Sequence, residues 1–328
     1  MRNRSAKHRV RDTSGAALLL ATCVLALACN AGPSDDALGA ERATRLSAAR
    51  AGIDWLVQHV DEMPPGWAHT YLLRLHRLAP DDATAANIEA ALRADPGGRR
   101  ATHLPRRIGV RGVLETRRLI PLLFELARRR DLGIPIRKEI DAFRPLLESD
   151  GGRFWEPIKP TQRLVLLHLF EEVGLETPRD LEQTVRDLKV ELEQRPPEDV
   201  ATDEGMLFTL THVIMAESGY FRERPDPQRV AFVIPHLLHG LDAALEGGES
   251  APSLDLTAEI VGCLTFVGVS ADERIDDARA WILDAQNEDG SWGEGQGVTA
   301  PRIHLTLNAV TATIDWPERP RPDPGLRI

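Results

Sequence analysis

The sequence is poor in the residues that mark several common protein classes. It contains three cysteines and two tyrosines, and aromatic residues make up 5% of the chain. So few cysteines exclude a fold held together by many disulfides, and the alternating β-branched runs that would predict strands are nearly absent. Leu, Ala, Arg and Glu occur throughout instead, and this composition predicts helices around a packed apolar core.

The N-terminal 28 residues have the pattern of an export signal. Residues 1–11 carry five basic side chains, and residues 15–28 are almost wholly small or apolar. A basic start, a short apolar stretch and small residues before a cleavage site are typical of a secretory signal. The stretch is shorter than the ~20 apolar residues of a membrane-spanning helix. We therefore predict that residues 1–28 are removed and take no part in the fold.

The predicted cleavage site has two interpretations. The sequence from Leu25 to Cys29 resembles a bacterial lipobox, which predicts a lipoprotein anchored through Cys29 to a membrane facing the periplasm, the outer membrane included. The same residues fit an ordinary A-x-A site, which predicts a secreted protein without an anchor. We favour the lipoprotein, with residues 29–42 as a tether.

The predicted mature chain is acidic. Removal of residues 1–28 takes away five basic residues and one acidic residue, which changes the formal net charge from −10 to −14. Nucleic-acid binding requires clustered Lys and Arg, so this balance argues against a nucleic-acid partner. Only Cys29 and Cys263 remain after cleavage, and a lipid on Cys29 leaves no pair for an internal disulfide. We expect a monomer whose membrane contact is its lipid.

Apolar residues recur at helical spacing in twelve blocks, which are separated by breaks rich in Pro, Gly or Asp. Consecutive blocks pair into six predicted hairpins within a domain of residues 43–316, and residues 317–328 are predicted to be a disordered tail rich in Pro and Arg. The predicted pairs are 43–60 with 67–78, 83–93 with 112–130, 135–148 with 161–174, 178–194 with 204–218, 228–245 with 254–268, and 272–286 with 301–314.

The second helix of each hairpin carries a polar residue at an equivalent place. These residues lie 46, 47, 50, 47 and 45 positions apart, and a near-constant period is typical of a repeat architecture. Six stacked hairpins can close on themselves so that no end repeat is exposed, which predicts an all-α fold, the α/α toroid or (α/α)6 barrel. An open superhelix of the HEAT kind is the alternative, but the last repeat lacks the polar cap that an open array requires. The equivalent residues are His69, Glu115, Gln162, His212, Glu259 and His304.

The last hairpin resembles a known motif. Trp281, Gln286, Gly290 and Trp292 are similar to the Q-W repeat of terpenoid cyclases and of protein prenyltransferase β-subunits. The resemblance implies an α/α toroid, the fold of both families. It does not extend to cyclase chemistry, because the predicted domain has no D-x-D-D or D-D-x-x-D motif and few aromatic residues.

The prenyltransferases also indicate where a metal would bind. In that family an Asp-x-Cys pair on one inner helix and a His on a later helix bind zinc. In this sequence Val261 stands at the position of the Asp, Cys263 at that of the Cys and His304 at that of the His. Glu259 lies one helical turn before Cys263 and shares its face. The repeat period sets His212 and His304 at the same place on the neighbouring helices.

This pattern predicts a zinc site formed by His212, Glu259 and His304, with Cys263 as a candidate fourth ligand and His69 next in the ring. Two imidazoles and a carboxylate with an open coordination position are the ligands of many catalytic zinc sites. Zinc-bound water would then act on the substrate of a hydrolase or lyase.

A metal-free catalytic site is a second hypothesis. Either His212 or Glu204 would move the proton, and a second carboxylate, Glu217 or Asp203, would stabilise charge. No spacing in the sequence singles out one pair.

A third hypothesis is that these residues are structural. The imidazoles would then bond to backbone carbonyls, and Glu259 would pair with Arg302. The sequence therefore leaves two functions open. We favour a binding or scaffolding protein of the cell envelope, with a small-molecule or polysaccharide ligand in the barrel, and the metal-dependent enzyme is the alternative.

Overall fold

The computed structural model describes residues 35–63, 65–94, 113–148, 158–177, 181–295, 297–318 and 320–325. Within these residues the chain forms fourteen α-helices and no strand, so the prediction of an all-α protein is confirmed. The described helices are α1 (Asp35–Gln58), α2 (Pro65–Leu78), α3 (Asp82–Arg93), α4 (Val113–Asp131), α5 (Arg137–Glu148), α6 (Pro160–Glu172), α7 (Leu181–Leu192), α8 (Pro197–Val200), α9 (Glu204–Glu217), α10 (Pro227–Val230), α11 (Ile234–Glu246), α12 (Leu254–Phe266), α13 (Glu273–Asp284) and α14 (Ala300–Thr313).

The contacts of the chain divide it into two units, Met1–Thr44 and Arg45–Ile328. The described part of the first unit is the beginning of α1, in which Thr44 Oγ1 donates a hydrogen bond to Ala40 O. All later helices belong to the second unit, which contains the predicted hairpins.

Each of the twelve predicted blocks coincides with a helix, and two short helices, α8 and α10, precede α9 and α11. The largest difference in a boundary is at α1, which begins at Asp35 and not near residue 43. Two adjacent Asp residues at this start favour the positive end of the helix dipole, and the Ala, Leu, Glu and Arg that follow are good helix formers. The helix therefore covers much of the segment predicted as a tether.

The second helices of the hairpins are more deeply buried than the first helices. On α12 every residue from Leu256 to Phe266 is buried, whereas α7 buries a single face that includes Val185, Leu188 and Leu192. A helix that is apolar around its whole circumference packs inside a protein, and an amphipathic one covers its surface. The second helices are α2, α4, α6, α9, α12 and α14.

These second helices pack in chain order. Each contacts the next one, from α2 to α14, and α14 also contacts α2. Every second helix thus has a second helix on either side, and α2 and α14, which lie furthest apart in the sequence, are neighbours.

The turn between α13 and α14 docks on the first hairpin. Gln286 Nε2 donates hydrogen bonds to Ala48 O of α1 and to Gly290 O within the turn, both at 2.9 Å. Trp292 is fully buried, and its Nε1 donates to Ile282 O at 2.6 Å. Both residues belong to the Q-W-like motif of the sequence. Their contacts join the last hairpin to the first.

Two glycines permit this close contact. Gly290 has a φ of +88°, and a Cβ built on it would lie 2.8 Å from Ala51 O. On the other side of the contact, a Cβ on Gly52 of α1 would lie 2.8 Å from the Trp292 ring. Glycine is required at 290 for both its backbone conformation and its lack of a side chain.

The C-terminal segment also contacts the first and second hairpins. Its described residues, 317–318 and 320–325, form no helix. Asp323 Oδ1 accepts a hydrogen bond from Arg77 Nε at 2.7 Å, and Arg321 Nη1 donates to Asp82 Oδ1 at 2.9 Å. These ion pairs attach the predicted tail to α2 and α3.

None of the described helices combines the length and the apolar character needed to cross a membrane. This finding concerns the described residues alone, and residues 1–34, which include the predicted signal and Cys29, lie outside them.

We expect Gly290→Ala to reduce the free energy of unfolding by roughly 2–5 kcal/mol, because it adds a left-handed alanine and a steric clash with Ala51. Gly295→Ala is a matched control, since Gly295 has a φ of +90° with no heavy atom within 4 Å of the added Cβ. That control should lose only about 1–2 kcal/mol. Chemical denaturation of both variants measures the difference, and equal losses would contradict the close contact.

Candidate functional site

A cavity of about 190 Å³ lies between the second helices. Each of the six contributes at least one side chain to its wall, and Tyr220, in the loop after α9, adds another. One lining residue from each helix, in chain order, is Arg74, Phe124, Val165, His212, Glu259 and His304.

The cavity brings together three of the residues predicted as metal ligands. His212, Glu259 and His304 all line it, and His212 Nδ1 lies 3.5 Å from Glu259 Oε1. His69 and Gln162, predicted to be equivalent to them, are not among its lining residues. His69 is buried elsewhere, with Nε2 3.3 Å from Asp131 Oδ2. The side chain of Glu115 lies outside the described residues.

Glu259 is a buried carboxylate, 1% exposed, held by neutral donors. Thr211 Oγ1 donates to its Oε1, and Asn308 Nδ2 donates to its Oε2 at 3.2 Å. The suggested pairing of Glu259 with Arg302 is wrong, because Arg302 Nη2 pairs with Asp289 Oδ2 at 2.7 Å. Both oxygens of Glu259 therefore have protein donors.

The imidazole of His212 bonds to its own helix. Its Nδ1 lies 2.8 Å from Phe208 O, one turn earlier. A carbonyl oxygen only accepts, so Nδ1 carries a proton and donates it to Phe208 O. This is the contact that the structural hypothesis predicts for such a histidine.

His304 pairs with a carboxylate that the sequence analysis missed. Its Nδ1 lies 2.8 Å from Asp255 Oδ2, and Asn308 Nδ2 donates to Asp255 Oδ1 at 3.0 Å. Enclosure by the protein lowers the pKa of His304, but the hydrogen bond to Asp255 and the negative charges of Asp255 and Glu259 raise it by more. Asp255 lies one turn before Glu259 on α12, and this i, i+4 spacing was the signal in the sequence.

The described side chains do not assemble a metal site. Among the residues that the structure describes, no group of three or more His, Cys, Asp or Glu is arranged to hold a metal ion. The thiol of Cys263 is fully buried, lies 3.7 Å from Thr211 O and does not line the cavity. Burial raises the pKa of this thiol well above its usual value, which opposes the thiolate that a metal requires.

The carboxylates proposed for metal-free catalysis lie away from the cavity and have structural partners. Glu204 Oε1 accepts a hydrogen bond from Ser253 N at 2.9 Å. Glu217 pairs with Arg229 at 2.7 Å, and Asp203 caps α9 by accepting from Met206 N at 3.0 Å. None of the three lines the cavity, so these contacts give no support to an acid/base pair with His212.

Arg74 is the most unusual residue of the cavity wall. It is 6% exposed, and its Nε and Nη2 have no hydrogen-bond partner among the described residues. Its guanidinium lies 4.3 Å from the centre of the Phe221 ring, within the range of a cation–π interaction. Burial lowers the pKa of Arg74, yet arginine stays protonated in proteins. The wall therefore contains a buried positive charge.

Both tyrosines of the chain, Tyr71 and Tyr220, line the same cavity. Burial raises the pKa of each hydroxyl above its usual value, so both remain protonated. Their scarcity was a signal that the sequence analysis did not use. A second signal in the sequence was Arg74, a charged residue within the otherwise apolar run of residues 71–75.

A strained loop after α9 shapes this part of the wall. Tyr220 and Phe221 have φ values of +54° and +65°, a conformation that costs side chains other than glycine about 1–3 kcal/mol each. Ser218 Oγ accepts a hydrogen bond from Phe221 N at 3.0 Å, and Tyr220 O accepts one from Arg77 Nη1 at 3.1 Å. The loop thereby places Tyr220 at the cavity and Phe221 beneath Arg74.

Comparisons with known proteins add no relative. The chain matches no protein-family model, no curated protein and no solved structure. The likeness of its last hairpin to terpenoid cyclases therefore stays a prediction from the four residues of the Q-W-like motif.

A larger depression of about 640 Å³ lies at the surface, between the end of α6 and the start of α7. Its charged lining residues include Glu171, Glu182 and Arg229, which are largely exposed. Polar groups that water already solvates gain little from a ligand. We therefore take the smaller cavity, with its buried charges, as the candidate site.

The charge of His304 gives a pH dependence with a defined sign. Its folded-state pKa is raised above the ordinary value of about 6.5. The stabilisation is therefore complete below about pH 6.5 and is lost as the pH rises through the raised value. We expect Asp255→Asn to lower the pKa of His304 and to remove this loss of stability.

NMR titration of the His304 ring, together with denaturation across neutral and mildly alkaline pH, measures both effects. Asp82→Asn removes an exposed carboxylate and is the control, which should leave the titration of His304 unchanged. An unshifted pKa of His304 in Asp255→Asn would show that Asp255 does not hold the charge.

Proposed function

We propose that the chain is a binding protein of the cell envelope, whose six hairpins form an α/α toroid with a small ligand in its central cavity. The observation that carries this proposal is that all six second helices contribute to the wall of one cavity. The contact of α14 with α2 and the hydrogen bond from Gln286 to Ala48 support the closure of the hairpins into a ring.

The size of the cavity favours a small molecule over a polysaccharide. An apolar cavity of ~150 Å³ is large enough to hold benzene, and this one measures about 190 Å³. A compound with one ring and a polar substituent fits that space. Several buried polar groups around an apolar wall are also the usual composition of a small-molecule site.

Binding explains the polar residues better than catalysis does. Glu259 and Asp255 each accept hydrogen bonds from protein groups, and His212 donates its Nδ1 proton to a backbone carbonyl. These contacts hold the side chains in fixed positions. A wall of fixed polar groups orients a ligand, and no described group of ligating residues supports the metal-dependent alternative.

We also propose that the chain is exported and carries lipid on Cys29, as residues 1–29 predict. In a bacterial host, we expect the expressed chain to incorporate a fatty-acid analogue, and Cys29→Ser to abolish the incorporation. Cys23→Ser is a matched control that leaves the predicted acceptor in place and should be labelled normally. Equal labelling of Cys29→Ser and the parent chain would exclude Cys29 as the acceptor.

The cavity itself can be tested by filling it. We expect a panel of single-ring compounds, benzyl alcohol and benzoate among them, to include compounds that raise the midpoint of thermal unfolding of the parent chain. Val165→Phe, which adds a ring to the cavity wall, should abolish these shifts. Val190→Phe is the control because Val190 is 56% exposed on α7. No shift with any compound, or equal shifts in both variants, would contradict a ligand in this cavity.

A further inference from the structure

The cavity wall contains donors without partners and a carboxylate that already accepts hydrogen bonds. Arg74 Nε and Nη2 have no hydrogen-bond partner among the described residues, and neither has the Nε1 of Trp67. Both side chains line the cavity. Glu259, which also lines the cavity, accepts hydrogen bonds from Thr211 and Asn308.

The two residues with unpartnered donors lie on one face of α2, with Tyr71 between them. Trp67, Tyr71 and Arg74 are separated by four and three residues, so they form one stripe along the helix. All three line the cavity. The stripe therefore places an indole, a phenol and a guanidinium in the wall of the same space.

A buried guanidinium without a carboxylate partner is costly to the folded chain. The π face of Phe221, 4.3 Å from the guanidinium, compensates part of that cost, but Nε and Nη2 still have no acceptor among the described residues. A planar anion is the complement of these groups, because a carboxylate accepts two parallel hydrogen bonds from arginine.

Part of the remaining wall is apolar, and the rest carries the polar side chains of Thr70, His212, Tyr220, Glu259 and His304. Ile120, Phe124, Val165 and Leu307 line the cavity with Met215. Together with a volume of about 190 Å³, this lining suits a single ring, since ~150 Å³ holds benzene. The wall thus offers the guanidinium of Arg74, a carboxylate whose oxygens already accept hydrogen bonds, and an apolar part large enough for a ring.

We propose that the cavity binds a small monocarboxylate with one ring, and that Arg74 holds its carboxylate. This proposal rests on the proposed function, because it names the class of ligand for the same cavity. We infer the negative group of the ligand from the guanidinium of Arg74, and its ring from the apolar part of the wall. Trp67 is a further donor for a polar substituent.

Calorimetry with three probes of nearly equal size tests the proposal: benzoate, benzyl alcohol and benzylamine. We expect the parent chain to bind benzoate at least tenfold more tightly than benzyl alcohol and not to bind benzylamine measurably. Arg74→Met should remove the preference for benzoate while the affinity for benzyl alcohol changes little. Arg74→Lys, which keeps the charge but loses the planar donors, should retain part of the preference.

Arg224→Met is the matched control. Arg224 is exposed, lies over a phenylalanine ring, that of Phe266, at 6.0 Å, and does not line the cavity. Its replacement should leave all three affinities unchanged. If Arg74→Met does not fold, the comparison of benzoate with benzyl alcohol in the parent chain and in Arg74→Lys still decides the question.

The outcomes separate this proposal from the proposed function. Equal or tighter binding of benzyl alcohol in the parent chain, or an unchanged benzoate preference in Arg74→Met, would overturn the carboxylate assignment and leave a ligand cavity in place. Absence of binding for every probe would overturn both. Loss of benzoate and benzyl alcohol together in Arg74→Met would show a structural role for Arg74 and also overturn the assignment.

Discussion

The contact on which the remaining structure depends is the one between the turn after α13 and helix α1. Gln286 bonds to Ala48 O, and the backbone of Gly290 lies against that of Ala51. In an open array of repeats, the end faces of the first and last hairpins would require polar caps. Here the first and last hairpins contact each other, since α14 also packs on α2, and the second helices line one cavity.

The interior enclosed in this way is not uniformly apolar. It contains the hydrogen-bonded pair of His304 and Asp255, both partly exposed, a buried carboxylate held by neutral donors, Glu259, and an arginine stacked on Phe221. Each of these groups would be costly if it were buried alone. Hydrogen bonds hold the first two, whereas Nε and Nη2 of Arg74 have no hydrogen-bond partner among the described residues.

The helices and their order could be predicted from the sequence, because a 3.6-residue apolar period is a local signal. The convergence of His212, Glu259 and His304 could be predicted as well, from an equal spacing along three neighbouring hairpins. Spacing does not fix the rotation of a helix, however. On α2 the cavity faces Trp67 and Tyr71, and His69, two residues from each, is turned away by about 200°. The contact partners of Arg302 and Phe221 could not be predicted either, because they depend on how the loops of the chain fold.

The backbone of the strained loop is linked to the C-terminal segment. Arg77 donates one hydrogen bond to Tyr220 O and two to the carboxylate of Asp323. Non-glycine residues stay in left-handed conformations only where several surrounding contacts fix them. Asp323 helps to fix Arg77, and Arg77 helps to fix the loop that carries Tyr220 and Phe221. Residues more than 100 positions downstream of that loop therefore contribute energetically to the shape of the cavity, although none of them is among its lining residues.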